Sequence, residues 1–285
     1  MQGVRNQIAK FGKIINAIET SDGAGVRLKR SLGTNALPIL DPFLMLDEFG
    51  SEEGADYIAG FPNHPHRGFE TVTYMLNGKM QHKDNKGNEG VIETGGVQWM
   101  TAGKGVIHSE MPLQKEGLMR GFQLWINLPS SKKMCEPRYQ DIRPEDVPEI
   151  KYNNGNFIKV ISGSIKDDND NNVFGCVKDI ITNPIFLDVH LKKGNNFSYS
   201  IPSNYVGFIY TYEGSISMQG TILHSHQLGT LEGHQIEISS SSEDSKFILL
   251  SAIPINEPVA RRGPFVMNTQ DELMQAYLDF SSGLF

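Results

Sequence analysis

HPHRGFETVTYMLNG, residues 64–78, decides how this chain folds. Its second part, 69–76, is rich in aromatic and β-branched residues and is bounded by Gly68 and Gly78, the pattern of a strand between two turns. Its first part sets His64 and His66 two positions apart. A strand places residues i and i+2 on one face, so two imidazoles stand side by side, an arrangement with which β-proteins chelate a metal. About forty residues on, His108-Ser109-Glu110 repeats the spacing directly after the glycine-rich turn TAGKG, 101–105. Three imidazoles and one carboxylate suit a six-coordinate ion such as Fe(II) with positions left open for water or substrate. The set holds no thiolate, which excludes a structural zinc of the cysteine kind. Glu70 competes with Glu110 as the acidic ligand. On a straight strand it lies about 13 Å from His66, whereas Glu110 lies about 6.6 Å from His108 on the same face. Glu110 is therefore the ligand expected. Glu70 is left as a group that could orient an imidazole.

Outward from these motifs, strand-like segments recur almost everywhere: around Val26 and Leu28, and at 91–92, 123–127, 158–162, 185–190, 208–212, 235–238 and 247–253. Many short strands separated by turns predict an all-β sandwich or barrel. One helix is expected near the end of the chain. Thr269 can cap it with Glu272 as capping-box partner, Leu273, Ala276, Tyr277 and Phe280 follow at helical spacing, and Gly283 stops it. The polar, proline-bearing stretch 130–156 reads as a linker between two β-rich halves. A weak repeat supports two copies of one barrel. Phe61-Pro62 precedes 73–78 as Ile201-Pro202 precedes 209–214, and aligning Gly78 with Gly214 pairs Tyr74 with Tyr210. In that register Ser200 and Pro202 stand where the first half has His64 and His66, so the second half should hold no metal.

The chain has 285 residues, 39% of them hydrophobic, enough for a sizeable core or two. Its 26 basic and 33 acidic side chains leave a formal charge of −7, which argues against direct nucleic-acid binding. Two cysteines, Cys135 and Cys176, cannot form a disulfide framework and are expected as free thiols. MQGVRNQIAKFGKIINAI at the start has no continuous apolar segment of a leader peptide, and no apolar run reaches membrane-spanning length. A cytoplasmic monomer is expected, with the nucleus a further location in a eukaryote.

Other motifs do not hold up. Lys104 follows Gly103 but neither a Walker loop nor a dinucleotide fingerprint surrounds it. KDDNDNN, 166–172, lacks the glycine and distal glutamate of a calcium loop. His224-Ser225-His226 falls outside the repeat register and no His-x-Glu follows it. His82, His190 and His234 stand alone and read as ordinary polar residues. Arg27-Leu28-Lys29-Arg30 alternates as a strand with a solvated face.

HPHRGFETVTYMLNG, QWMTAGKGVIHSEMP (98–112) and EPVARRGPFVMNTQDEL (257–273) resemble the pirin family, a branch of the cupins. LDPFLMLDEFG (40–50) and KMCEPRYQDIRPEDVPEI (133–150) do so too. The resemblance implies a bicupin of two β-barrels packed face to face: residues 1–132 as the metal-binding barrel, 133–156 as linker, and 157–285 as a barrel without metal that ends in the helix. It implies iron on His64, His66, His108 and Glu110, with another divalent transition ion as the alternative. It implies flavonol cleavage with O₂ and release of carbon monoxide, as in quercetin 2,3-dioxygenases; the site chemistry would let Glu110 act as the base when it loosens from the metal. The other function it implies is an iron-dependent, redox-sensing transcriptional co-regulator or adaptor that binds a protein partner.

Overall fold

Alternation along single strands builds both cores. Leu187, Val189 and Leu191 are buried in one cluster, while Asp188 and His190 between them project to the other face and meet each other there. The computed structural model describes residues 7–240 and 242–285; the first six residues, on which part of the leader-peptide reading rests, lie outside them.

The strands of the first part of the chain are β1 (Lys10–Asn16), β2 (Ile18–Asp22), β3 (Val26–Leu32), β4 (Phe43–Ser51), β5 (Phe61–His66), β6 (Phe69–Asn77) and β7 (Lys79–Asp84). They continue with β8 (Glu89–Glu93), β9 (Val97–Thr101), β10 (Val106–Pro112), β11 (Met119–Asn127), β12 (Arg138–Ile142) and β13 (Glu149–Lys151). The second part gives β14 (Phe157–Ser162), β15 (Ser164–Lys166), β16 (Asn172–Phe174), β17 (Ile185–Leu191), β18 (Asn196–Ser200), β19 (Val206–Glu213) and β20 (Ser215–Met218). Then come β21 (Thr221–His224), β22 (Gln227–Glu232), β23 (Gln235–Ser239), β24 (Ser245–Ala252), β25 (Ala260–Arg262), β26 (Phe265–Met267) and the helix α1 (Gln270–Ser281). Every expected strand segment falls on one of these. Thr269 caps α1 through Glu272 N–H, and the Glu272 carboxylate accepts from Thr269 N–H, the full capping box.

The repeat is a repeat of topology. One seven-stranded sheet runs β12-β9-β6-β11-β4-β3-β2 and goes with a four-stranded sheet β5-β10-β7-β8. The other runs β1-β22-β19-β24-β17-β14-β13 and goes with β18-β23-β20-β21. Position by position the two sets correspond, with β6 and β19, the strands of Tyr74 and Tyr210, in the same place. In the first barrel Val26, Leu28, Phe49, Met75 and Met119 of the large sheet pack on Met80 and Ile92 of the small one. In the second, Val160, Leu187, Ile209, Phe247 and Leu249 pack on Phe197, Ile216, Leu223, Ile236 and Ile238. Each such side chain contributes roughly 1.5–3 kcal/mol of transfer free energy.

The chain does not divide linearly as expected. One compact unit combines residues up to Ala17 with Val147–Pro254, the other Ile18–Asp146 with Ile255–Phe285. Edge strands explain it. A strand left open at a sheet edge needs a partner. β22 takes β1, whose Phe11 enters the second core, and β9 takes β12. The stretch read as a linker therefore carries β12 for one barrel and β13 for the other. The helix belongs to the unit of Ile18–Asp146 and Ile255–Phe285, where Leu273 and Ala276 pack with Phe265, Phe285 and Ile107. The segment 166–172 is the turn joining β15 to β16, with Asp167 accepting from the N–H of Asn169 and Asn171. No helix among the described residues is long and apolar enough to cross a membrane.

Candidate metal centre

Two glycine turns aim the histidine strands. Gly68 (φ 88°) bends the chain between β5 and β6, and Gly103 (φ 51°) bends it before β10. A Cβ at Gly68 would lie 2.0 Å from the Val266 carbonyl oxygen, and one at Gly103 would lie 2.2 Å from that of Cys135, so neither turn admits a side chain. Gly68 N–H donates to the Gly103 carbonyl at 2.8 Å and locks the turns together. β5 and β10 then pair antiparallel with His108 opposite His64.

This pairing brings His64, His66 and His108 into one cluster, with a donor atom from each within 4.8 Å of the others. Ring centroids are 4.4 Å apart for His64 and His108 and 4.7 Å for His64 and His66. His64 Nδ1 donates to the Pro62 carbonyl at 2.8 Å, which leaves its Nε2 as a bare lone pair. That Nε2 faces Nε2 of His66 at 3.0 Å. Two nitrogens each about 2.1 Å from one ion and at right angles to each other are about 3.0 Å apart. His108 Nε2 is buried with no hydrogen-bond partner. Burial, reinforced by the neighbouring imidazoles, pushes the pKa values of His66 and His108 well below the usual histidine range, which keeps both in the neutral, ligating form. Nitrogen donors in this arrangement fit a divalent transition ion.

Of the four expected ligands, Glu110 stands outside the cluster. The register slips between His108 and Glu110, so Glu110 lies opposite Phe61. Its Oε1 accepts from the Thr73 hydroxyl at 2.7 Å. It is buried and lines the same cavity as His64 and His66. Glu70 orients no imidazole among the described contacts. Its strand parity turns it away from the Phe69 and Thr73 face, and its Oε1 accepts from Thr101 at 2.7 Å.

His82, read as an ordinary polar residue, belongs to the site. It is 1% exposed, and its Nδ1 lies 3.3 Å from Nδ1 of His108. The signal available was the alternation of Met80 and His82, both buried, with the half-exposed Gln81 and exposed Lys83. In the second barrel Ser200 and Pro202 are not the inward positions; both lie on the exposed side. Phe197, Tyr199, Ile236 and Ile238 point into that core, an apolar set where the first barrel has imidazoles. His226 sits in the left-handed turn after β21.

The family model described as Pirin matches residues 25–126, and the one described as Pirin C-terminal cupin domain matches 186–285. A pirin-like protein of Caulobacter vibrioides is 45% identical over 274 residues, covering 96% of this chain and 98% of its own. The chain belongs to the pirin family. A Pseudomonas aeruginosa relative provisionally named quercetin 2,3-dioxygenase is 46% identical over 268 residues, 93% of each chain. The crystal structure of a quercetin 2,3-dioxygenase from Acinetobacter baumannii superposes with a TM-score of 0.88 at 34% identity, covering 98% of this chain and 99% of that one. Both units of this pirin-family chain are cupin domains.

Arg67 braces the pirin site from behind. Its Nε donates to the Lys104 carbonyl at 2.6 Å, its Nη1 to Asp279 at 2.7 Å, and its guanidinium lies 4.2 Å from the Phe285 ring centroid. One side chain thus ties His66, the turn before His108 and helix α1. Arg67→Met is expected to weaken metal affinity about tenfold or more, the usual cost of removing a group that orients ligands. Chelator competition at constant fold, checked by thermal unfolding, measures it; an unchanged affinity would show the tie to be dispensable.

Proposed function

We propose that this chain is an iron-dependent dioxygenase of the quercetin 2,3-dioxygenase type, opening a flavonol ring with O₂. The observation that carries the reading is a cluster of three imidazoles, two of which, His64 and His66, line a cavity of about 650 Å³ walled by Leu28, Met45, Phe49, Phe61 and Trp125. That volume is in the range of small-molecule sites. In this reading His64, His66, His108 and Glu110 are the metal ligands. A divalent ion, Fe(II) by our assignment, supplies Lewis-acid and redox chemistry when bound. Thr73 holds the Oε1 of Glu110, whose Oε2 serves either as a ligand or, off the ion, as the base that takes the flavonol hydroxyl proton. Phe49, Phe61 and Trp125 orient a flat ring and exclude water from it. The fold and the dioxygenase names that some of the pirin relatives carry support the reading.

Quercetin consumption by the metal-loaded protein should require O₂ and release carbon monoxide, at modest turnover. If no flavonol is consumed with Fe, Ni, Co, Mn or Cu in the site, the reading fails and a protein-binding regulator takes its place.

A further inference from the structure

The cavity that holds the histidines is also lined by two arginines, and they are in opposite states. Arg30 is fully committed. Its Nε and Nη2 each lie 2.7 Å from an oxygen of Asp47, and Nη2 is 3.0 Å from Asp22. Both oxygens of Asp47 are used in this fork, a strong bidentate arrangement. Arg261, on β25, has no carboxylate partner among the described contacts. Its Nη1 donates to the Leu44 carbonyl at 2.9 Å, its Nη2 touches only the Met45 sulfur at 4.0 Å, and its guanidinium lies 4.9 Å from the Trp125 ring centroid. A guanidinium carries five N–H donors, so most of Arg261's have no oxygen acceptor. Burial, with Arg30 nearby, holds its pKa below the usual arginine value against the opposing field of Asp47 and Asp22, neither of which it contacts. Each acidic group of the lining has a partner: Asp47 has Arg30 on both oxygens, Asp22 has Arg30 and Gly23 N–H, and Glu110 has Thr73 on Oε1.

A half-dehydrated cation on an aromatic face, with open donors toward a cavity, is stabilised by an incoming anion. A planar fork matches a carboxylate better than a point charge does. The remaining walls are apolar and aromatic, which favours a flat body between the charged ends. We propose that Arg261 is the anion-recognition group of this cavity and that its ligand is a planar aromatic acid, hydroxylated end toward His64 and His66 and carboxylate on Arg261. The inference rests on the cavity being the substrate site. It goes further in making an acidic substituent remote from the chelating end part of the substrate class.

The test is an equilibrium titration of the full chain, metal-free and metal-loaded, with 3-hydroxyflavone and its 4′-carboxy derivative, followed by probe fluorescence. Wild type should bind the acid about tenfold or more tightly than the neutral probe, the worth of a charge-assisted hydrogen bond. Arg261→Gln should bring the two affinities together and leave that for 3-hydroxyflavone unchanged, and Arg261→Lys should keep part of the preference. Thermal unfolding checks the fold, and Arg261→Lys carries the comparison if Arg261→Gln is unstable. Equal binding of the probes to wild type, or a preference that survives in Arg261→Gln, overturns the role of Arg261 alone. Failure of both probes to bind wild type overturns the substrate-site reading with it.

Discussion

Changing His64 and His66 together to alanine should reduce bound metal from about one equivalent per chain to less than a tenth. These two residues supply two of the three clustered imidazoles and the pair of nitrogens that face each other at 3.0 Å. With both gone, His108 is left with Glu110, whose Oε1 is already held by Thr73. Two protein donors rarely retain a transition ion against water at neutral pH, since affinity rises with each ligand that need not be ordered on binding. Elemental analysis after dialysis measures the loss. His224→Ala with His226→Ala serves as the control and should leave metal content unaltered, because the inward positions of that barrel are Phe197, Tyr199, Ile236 and Ile238. Full retention in the first variant, or a halved content in the second, would contradict the assignment.

The second large effect falls on rate. Glu110→Gln preserves size and can still accept from Thr73, but it removes the charge and the proton acceptor. Turnover per bound metal should drop about a hundredfold or more if deprotonation of the flavonol is assisted by a general base. Normalising to metal separates this loss from any weakening of the site. Undiminished turnover would show that Glu110 is not the base. Glu70 would then not inherit the role, since it lies on the opposite face of β6 and bonds Thr101.

What was legible in the sequence is what short-range geometry dictates. His64 and His66 share a face because a strand has period two, and Thr269 caps a helix because Glu272 is three residues on. The turn at 101–105 announced itself by glycines that the structure puts at positive φ. What stayed hidden depends on pairing between distant segments. His82 meets His108 only because β7 pairs with β10, and nothing near residue 82 declares that partner. The register shift beside Glu110 is a property of the β5–β10 ladder, set by two strands at once, while the β7–β10 ladder keeps Glu110 on the face of His108. The exchange of end segments is the extreme case. β1 pairs with a strand more than two hundred residues away, and the polar 130–156 looked like a linker because edge strands are short and half-exposed.

The buttress behind the histidines also sets an order of events. Val266 N–H donates to the Arg67 carbonyl, Lys133 Nζ donates to the carbonyls of Gly68 and Val266 and to Asn127, and Asp279 takes the Arg67 guanidinium. Residues 255–285 leave the ribosome about 145 residues after Glu110. At roughly 5–20 residues per second, the imidazoles wait on the order of ten seconds for their support, while the whole second barrel is made. On the proposed metal reading, a chain stalled before residue 255 is expected to hold its metal more weakly than the finished chain, because the supports of His66 and of the turn before His108 come from the closing segment.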